Sequence, residues 1–428
     1  MTLTRRTFLA AAGGAFGLAT LGAAGCASPT TANPGALTLW YSKDGLSTNV
    51  VDDAIGRFAD DKFRVSIIGD GLKHRLLAAM SGNAYVPDIA MLGDDIASYF
   101  QDSDQFVDLN TLGAADVKDE YLPWKWQAGT SPSGFMMGFP IDIGPSALYY
   151  RHDLFKQAGF PSEPDDVATV VSTWDAYFEF GVELQKALPG GYLITDTKTV
   201  FTYSMAQLPQ KYFDRQDSYI GDGPHVREAW DWALDAYRRG LTAGYAGSQN
   251  PGDSVDRHAA WNTGKELSFV NASWITGELK QSAPGTAGKW RVCRSPGGAG
   301  NQGGSFLSIT KNCPRPQAAF DIIAWLLSPE NQARTFLDAG LFPSSPSAFT
   351  DPRLLEPEPF FGGQVTMSVF GKSASDVKPA YFSPYDIAIS DTYTDELTNV
   401  ELVGKDPAQA WNDARRTVTR LLQRKGVI

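Results

Sequence analysis

Between Leu37 and Leu92 the chain alternates short β-prone runs with amphipathic stretches, and this rhythm restricts the fold more than any other feature. Leu37-Thr38-Leu39-Trp40-Tyr41 reads as a strand that ends in the polar run Ser42-Lys43-Asp44-Gly45. A helix from Val50 to Ala59, a strand from Arg64 to Ile68 and a helix from Leu72 to Met80 follow. Pro87 to Leu92 reads as a buried strand closing on Gly93-Asp94-Asp95. Strand, helix, strand, helix, strand implies a parallel sheet with helices on both faces, and such sheets bind ligands beyond the carboxyl ends of their strands. Lys43, Asp44, Asp94 and Asp95 sit there.

The N-terminus carries a second strong signal. Thr4-Arg5-Arg6-Thr7-Phe8-Leu9 precedes an apolar, Ala- and Gly-rich stretch too short to span a membrane, which fits a twin-arginine export signal. Leu21-Gly22-Ala23-Ala24-Gly25-Cys26 resembles a lipobox, so residues 1–26 read as a signal ending at a lipidated Cys26. Residues 27–36, with the Ser-, Thr- and Pro-containing run from Ser28 to Pro34, read as a flexible tether. At 428 residues the chain exceeds what one core usually serves, so two domains are expected. The net charge of −11, with no dense basic run after the signal, argues against nucleic acid as a partner.

With Cys26 assigned to lipid, Cys293 and Cys313 remain. Trp290 to Cys293 and Ser305 to Ile309 read as strands on either side of a Gly-rich link, which would bring the two cysteines together. A disulfide would persist outside the cell; the alternative is two separate buried thiols, and the bond is slightly preferred. Four histidines without an HExxH pattern, and no CxxC, argue against a metal site. No cofactor is implied. There is no GxSxG elbow, and Gly371-Lys372-Ser373 lacks the phosphate loop's upstream glycine because position 366 is Thr366.

Further elements follow from caps and breakers. A helix from Trp174 to Leu188 starts behind Ser172 and Thr173, and another runs from Val226 to Arg239. Helices run from Pro316 to Leu327 and from Pro329 to Ala339, the latter between Ser328 and Gly340, and a last one from Pro407 to Arg424. The order of phrases is then telling: Leu39-Trp40-Tyr41-Ser42; Leu76 to Gly82 with Pro87-Asp88-Ile89; Gly138-Phe139-Pro140-Ile141-Asp142 with Ala147 to Gly159. Trp261 to Lys265, Asn271-Ala272-Ser273-Trp274 and Gly303-Gly304-Ser305-Phe306-Leu307-Ser308-Ile309 complete it. From Leu37 to Leu422 the chain resembles the family 1 extracellular solute-binding proteins, the sugar-type receptors of ABC importers. It departs at Arg151 and His152, where the family has Asn and Lys; these two read as a solvated turn.

The resemblance implies a two-lobed, periplasmic-binding-protein-like α/β fold, each lobe a mostly parallel sheet flanked by helices, joined by a hinge. Residues 37–142 and 298–342 would form the first lobe, and 143–297 and 343–428 the second. It also implies a monomer that captures a di- or oligosaccharide, amino sugars included, and delivers it to permease subunits without catalysis. Sugars need aromatic platforms and hydroxyl-binding polar groups. Trp274 and Phe306 are the aromatic candidates, with Tyr41 and Tyr385 behind them. Asp94, Asp95, Asp142 and Asn271 are the polar ones, with Gly304 and Ser305 in the binding loop and Lys43 more remote. Bland readings stand beside these: Asp94 or Asp95 as a helix cap, Asp142 as a hinge hydrogen-bond acceptor, the glycines around Gly303 as a hairpin link. Two other functions compete: a glycerophosphodiester receptor of the same fold, and a secreted glycosidase using Asp94 and Asp142.

Overall fold

The computed structural model describes residues 35–43, 45–69, 71–245 and 255–428. The export signal, Cys26 and residues 27–34 of the tether lie outside the described residues, as does Asp44. Among the described residues no helix is long and apolar enough to cross a membrane.

Strands β1 (Thr38–Ser42), β2 (Arg64–Ile68) and β3 (Ile89–Leu92) form where the alternation placed them, with β1 parallel to both neighbours. The chain then runs through the short strands β4 (Phe139–Pro140) and β5 (Asp142–Ile143) into β6 (Ser146–Arg151). Strands β7 (Ser268–Ala272) and β8 (Trp290–Cys293) flank β6 in a sheet of order β7-β6-β8. Strand β9 (Phe306–Ile309) returns to the first sheet, of order β2-β1-β3-β9-β4. Finally β10 (Phe342–Pro343) pairs antiparallel with β5.

The two-lobed α/β architecture is the expected one, but the strand directions differ. In the first sheet β9 runs antiparallel to β3 and β4, because it enters only after the chain has come back from the second lobe. In the second sheet β6 is antiparallel to both β7 and β8, and parallel pairing is confined to isolated bridges such as Tyr192 with Glu266.

Strands β1, β3 and β9 of the first sheet and β6 and β7 of the second are buried on both faces, while the edge strand β2 is largely open, and side-chain alternation sorts the buried residues. Leu148 and Tyr150 of β6 face one core with Val270 of β7 and Cys293 of β8. Ala147 and Tyr149 face another with Phe269 and Trp290, and Tyr149 stacks on Phe269 at 4.9 Å. In the first lobe Leu39, Tyr41, Ile89, Leu307 and Ile309 share one core, while Ala90, Leu92 and Phe306 line the opposite face. The helices end where local chemistry dictates: Thr173 caps Trp174–Ala187, Ser328 caps Pro329–Ala339, and Gly340 closes the latter at φ 72°.

This arrangement overturns the cysteine pairing. Strands β8 and β9 are not a hairpin but belong to different sheets, so Cys293 lies in the second lobe's core and Cys313 in the first's. Both are buried free thiols. Burial raises the pKa of each, leaving little thiolate to react. Neither is expected to react with iodoacetamide in the folded protein. Both should be labelled in denaturant without prior reduction, and a need for reductant would restore the disulfide.

Arg151 also departs from expectation. It is buried rather than solvated, pairing with Asp153 at 2.7 Å and donating to the Trp261 carbonyl at 3.3 Å.

The Gly-rich link is a crossover between lobes. Ser146 N donates to Gly300 O at 2.9 Å and Gln302 N to Gly144 O at 2.9 Å, which ties the outgoing and returning segments together. Gly144 is required by space: a Cβ there would sit 1.9 Å from the Gln302 carbonyl oxygen.

Candidate functional site: the cleft between the lobes

Among the described residues, two cavities open between the lobes. The smaller, of about 70 Å³, has Asp94, Asp95, Trp124 and Lys125 on the first-lobe side. Lys211, Phe382 and Asp386 face them from the second lobe, and Asn301 to Gly304 of the crossover form its end. The larger, of about 1450 Å³, runs between Tyr41 and Lys43 at the end of β1 and Ser273, Trp274 and Glu278 beyond β7. A Cβ on Gly303, which lines the smaller cavity, would lie 3.9 Å from the indole nitrogen of Trp274 on the larger one.

Trp274 is 40% exposed, in a protein whose tryptophans 174, 230, 261 and 290 are fully buried. It follows β7 at the N-terminus of the helix Ile275–Ser282, so the strand end fixes its position while the indole stays open. Phe306 is different. It is 1% exposed, and the Lys125 ammonium sits 3.5 Å from its ring centroid, so no platform is left free. A cation over the ring face takes the place that a sugar face would use.

The polar candidates divide. Asp94 and Asp95 line the smaller cavity. Asp95 occupies the N-cap position of Ile96–Gln105 but makes no capping bond; it pairs with Lys73 instead. Asp142 is a hydrogen-bond acceptor beside the crossover: its Oδ1 accepts from Ser305 N at 2.7 Å, and it lines neither cavity. Ser305 contributes this backbone bond. Gly304, at φ 99°, leaves room for Lys125 Nζ, which a Cβ would approach to 3.0 Å. Asn271 turns away from the cleft. It is 4% exposed, and its Oδ1 accepts from Tyr203 Oη at 2.7 Å inside the second lobe. Tyr41 is buried in the first core with its edge on the larger cavity, where Lys43 is exposed. Tyr385 lines neither cavity but accepts from Gln101 Nε2 at 3.3 Å, a bond from lobe to lobe.

Lys125, Lys211 and Asp386 are the charged groups that sequence reasoning missed. Lys125 sits between two tryptophans in the short helix Pro123–Ala128, and a lysine in so apolar a setting was the available signal. Burial pushes it down to about 7, with Asp142 and Asp94 opposing. Burial and then the like charge of Asp95 push Asp94 up, with Lys211 and Lys125 opposing; water still reaches this carboxylate, so screening blunts the shift.

Asp386, 8% exposed, is pushed up to about 6 by burial, against the pull of Lys211. An unfolded aspartate titrates near ~3.9, so the folded state binds this proton more tightly. The buried charge therefore costs stability above pH 6, and the cost fades as pH falls toward the unfolded value. Asp386→Asn is expected to melt higher than the parent at neutral pH and level with it by about pH 4. A melting difference that ignores pH would contradict this.

The family profile of bacterial extracellular solute-binding proteins matches residues 59–358. The chain belongs to that family. A crystal structure of a family 1 extracellular solute-binding protein superimposes with a TM-score of 0.81 at 27% identity, covering 89% of this chain and 98% of that one. The lactose-binding protein of Rhizobium radiobacter is 25% identical over 82% of this chain and 85% of its own length. The arabinooligosaccharide-binding protein of Halalkalibacterium halodurans is 21% identical over 83% of this chain and 81% of its own. In fold, this solute-binding protein also matches the galacto-N-biose-/lacto-N-biose I-binding protein of Bifidobacterium longum, solved with lacto-N-biose. That TM-score is 0.74 at 19% identity, over 92% of this chain and 99% of that one.

Proposed function

We propose that this solute-binding protein is the capture subunit of an ABC importer and closes its two lobes on a di- or oligosaccharide. Lobes of 37–142 with 298–342, and 143–297 with 343–428, would rotate about the β5/β10 ribbon and the 300–302 crossover. The observation that carries the reading is the half-exposed indole of Trp274 on one interlobe cavity, near a second interlobe cavity lined with carboxylates, ammoniums and amides. An aromatic face beside such groups suits a ring with apolar C–H faces and a hydroxyl rim. Relatives that bind lactose and arabinooligosaccharides support the same class.

In this reading the protein leaves its ligand chemically unchanged and hands it to permease subunits. Export by the twin-arginine route and acylation of Cys26 would hold a monomer at the outer face of the membrane. Palmitate labelling of the parent, lost in Cys26→Ser, tests the anchor.

Thermal melts of the mature, unlipidated chain with lactose, arabinotriose, chitobiose and glycerophosphocholine test the capture. One saccharide is expected to stabilise the protein by about 2.7 kcal/mol at a hundredfold excess over Kd, and to be recovered intact. A response to glycerophosphocholine alone would replace the sugar, and cleavage of the saccharide would reinstate the glycosidase.

A further inference from the structure

Asp386 begins the helix Asp386–Val403 on the second-lobe wall of the smaller cavity. Its Oδ2 accepts from Ser383 N at 3.0 Å, while its Oδ1 is shut off from water and has no partner. A buried acceptor without a donor is unfavourable, and a molecule that enters while the lobes are apart would reach a carboxylate on this wall and bring the donor it lacks. Lys211 lines the same wall and acts electrostatically on Asp386.

We propose that Asp386 and Lys211 form the second lobe's reading pair for a neutral saccharide: Asp386 Oδ1 accepts from one ring hydroxyl while Lys211 donates to its neighbour. This rests on the carbohydrate reading above and narrows it. A carboxylate only accepts, so the ligand must present a hydrogen there, which a uronate or phosphodiester oxygen lacks. Charge points the same way. Asp95 is held by Lys73, which leaves Asp94 and Asp386 on the cavity against Lys125 and Lys211, and Lys125 already acts against Asp142 and Asp94. The ammoniums are thus matched by carboxylates, and an anionic ligand would find no excess of positive charge to draw it in. The pair also bears on closure. A ligand resting on the first lobe favours the closed form only through contacts the second lobe adds, and Asp386 and Lys211 supply two.

Titration calorimetry on the parent, Asp386→Asn and Lys211→Met tests the pair, with lactose and arabinotriose as neutral probes and digalacturonate and glycerophosphocholine as the others. Asparagine keeps an acceptor for Ser383 N and converts the free oxygen to a donor, so the loop is retained while the reading is reversed. Relative to the parent's Kd for the neutral probe it binds, Asp386→Asn is expected to weaken binding at least ~tenfold and Lys211→Met at least ~threefold. The ligand-free Asp386→Asn protein should melt no lower than the parent. Affinities of both variants within about twofold of the parent would overturn the pair, as would a parent that prefers digalacturonate. If Asp386→Asn does not fold, an unchanged Lys211→Met overturns it alone. A parent that binds neither saccharide removes the carbohydrate reading itself, a separate failure visible before any variant is made.

Discussion

Replacing Arg257 with methionine is expected to destabilise the protein by about 3–5 kcal/mol, read as a lower urea midpoint. Arg257 and Glu266 are 1% and 0% exposed, and Arg257 Nε donates to Glu266 Oε2 at 3.1 Å. Thr195 joins them, donating to Glu266 Oε1 at 2.6 Å and accepting from Arg257 Nη2 at 3.0 Å. The guanidinium also lies 4.9 Å from the Trp261 ring centroid and 4.7 Å from that of Phe269. Methionine can fill much of that apolar space. It cannot compensate Glu266, which would keep a hydroxyl donor but lose its buried countercharge. Burial already pushes the Glu266 carboxyl up, with Arg257 opposing. In the variant the folded state would bind that proton more tightly still, so the deficit should shrink as pH falls. A loss below about 1 kcal/mol, or a deficit that grows with acid, would show that the pair does not hold this part of the second lobe.

Trp274→Ala should leave stability nearly untouched and remove most of the sugar affinity. The indole is 40% exposed, so truncation creates no core cavity. Covering one indole face with a sugar ring hides roughly 75 Å² of apolar surface, worth about 2 kcal/mol or thirtyfold in Kd. Trp274→Phe should recover part of this, because a smaller ring covers less area. Calorimetry with the best saccharide checks both. An alanine variant that binds as well as the parent would move the platform elsewhere in the cleft, and a large fall in its melting point would make Trp274 a packing residue.

Much of the fold was legible because its signals are local. Ser328, Pro329 and Gly340 delimit a helix by satisfying or ending backbone hydrogen bonds within a turn of where they stand. The residues of β6 alternate between two cores because strand geometry sends successive side chains to opposite faces. Trp274 was legible for a related reason: its place just past a strand end is set by neighbours in sequence.

What sequence could not decide was anything that depends on which segments meet. Trp290 to Cys293 and Phe306 to Ile309 look alike as strands, yet one pairs with Tyr149 and the other with Met91, and that choice separates Cys293 from Cys313. The same contacts turn Asn271 inward to Tyr203, place Lys125 over Phe306, and bring Lys211 and Asp386 to one wall from positions 175 residues apart. The sequence by itself determined the first three strands, the capped helices, the family and the place of Trp274 past a strand end, since caps, alternation and strand ends act over a few residues. Only the tertiary structure decided strand direction, cysteine pairing and the charges that line the cleft. Those depend on burial and on distances between groups far apart in the chain, which local pattern does not encode.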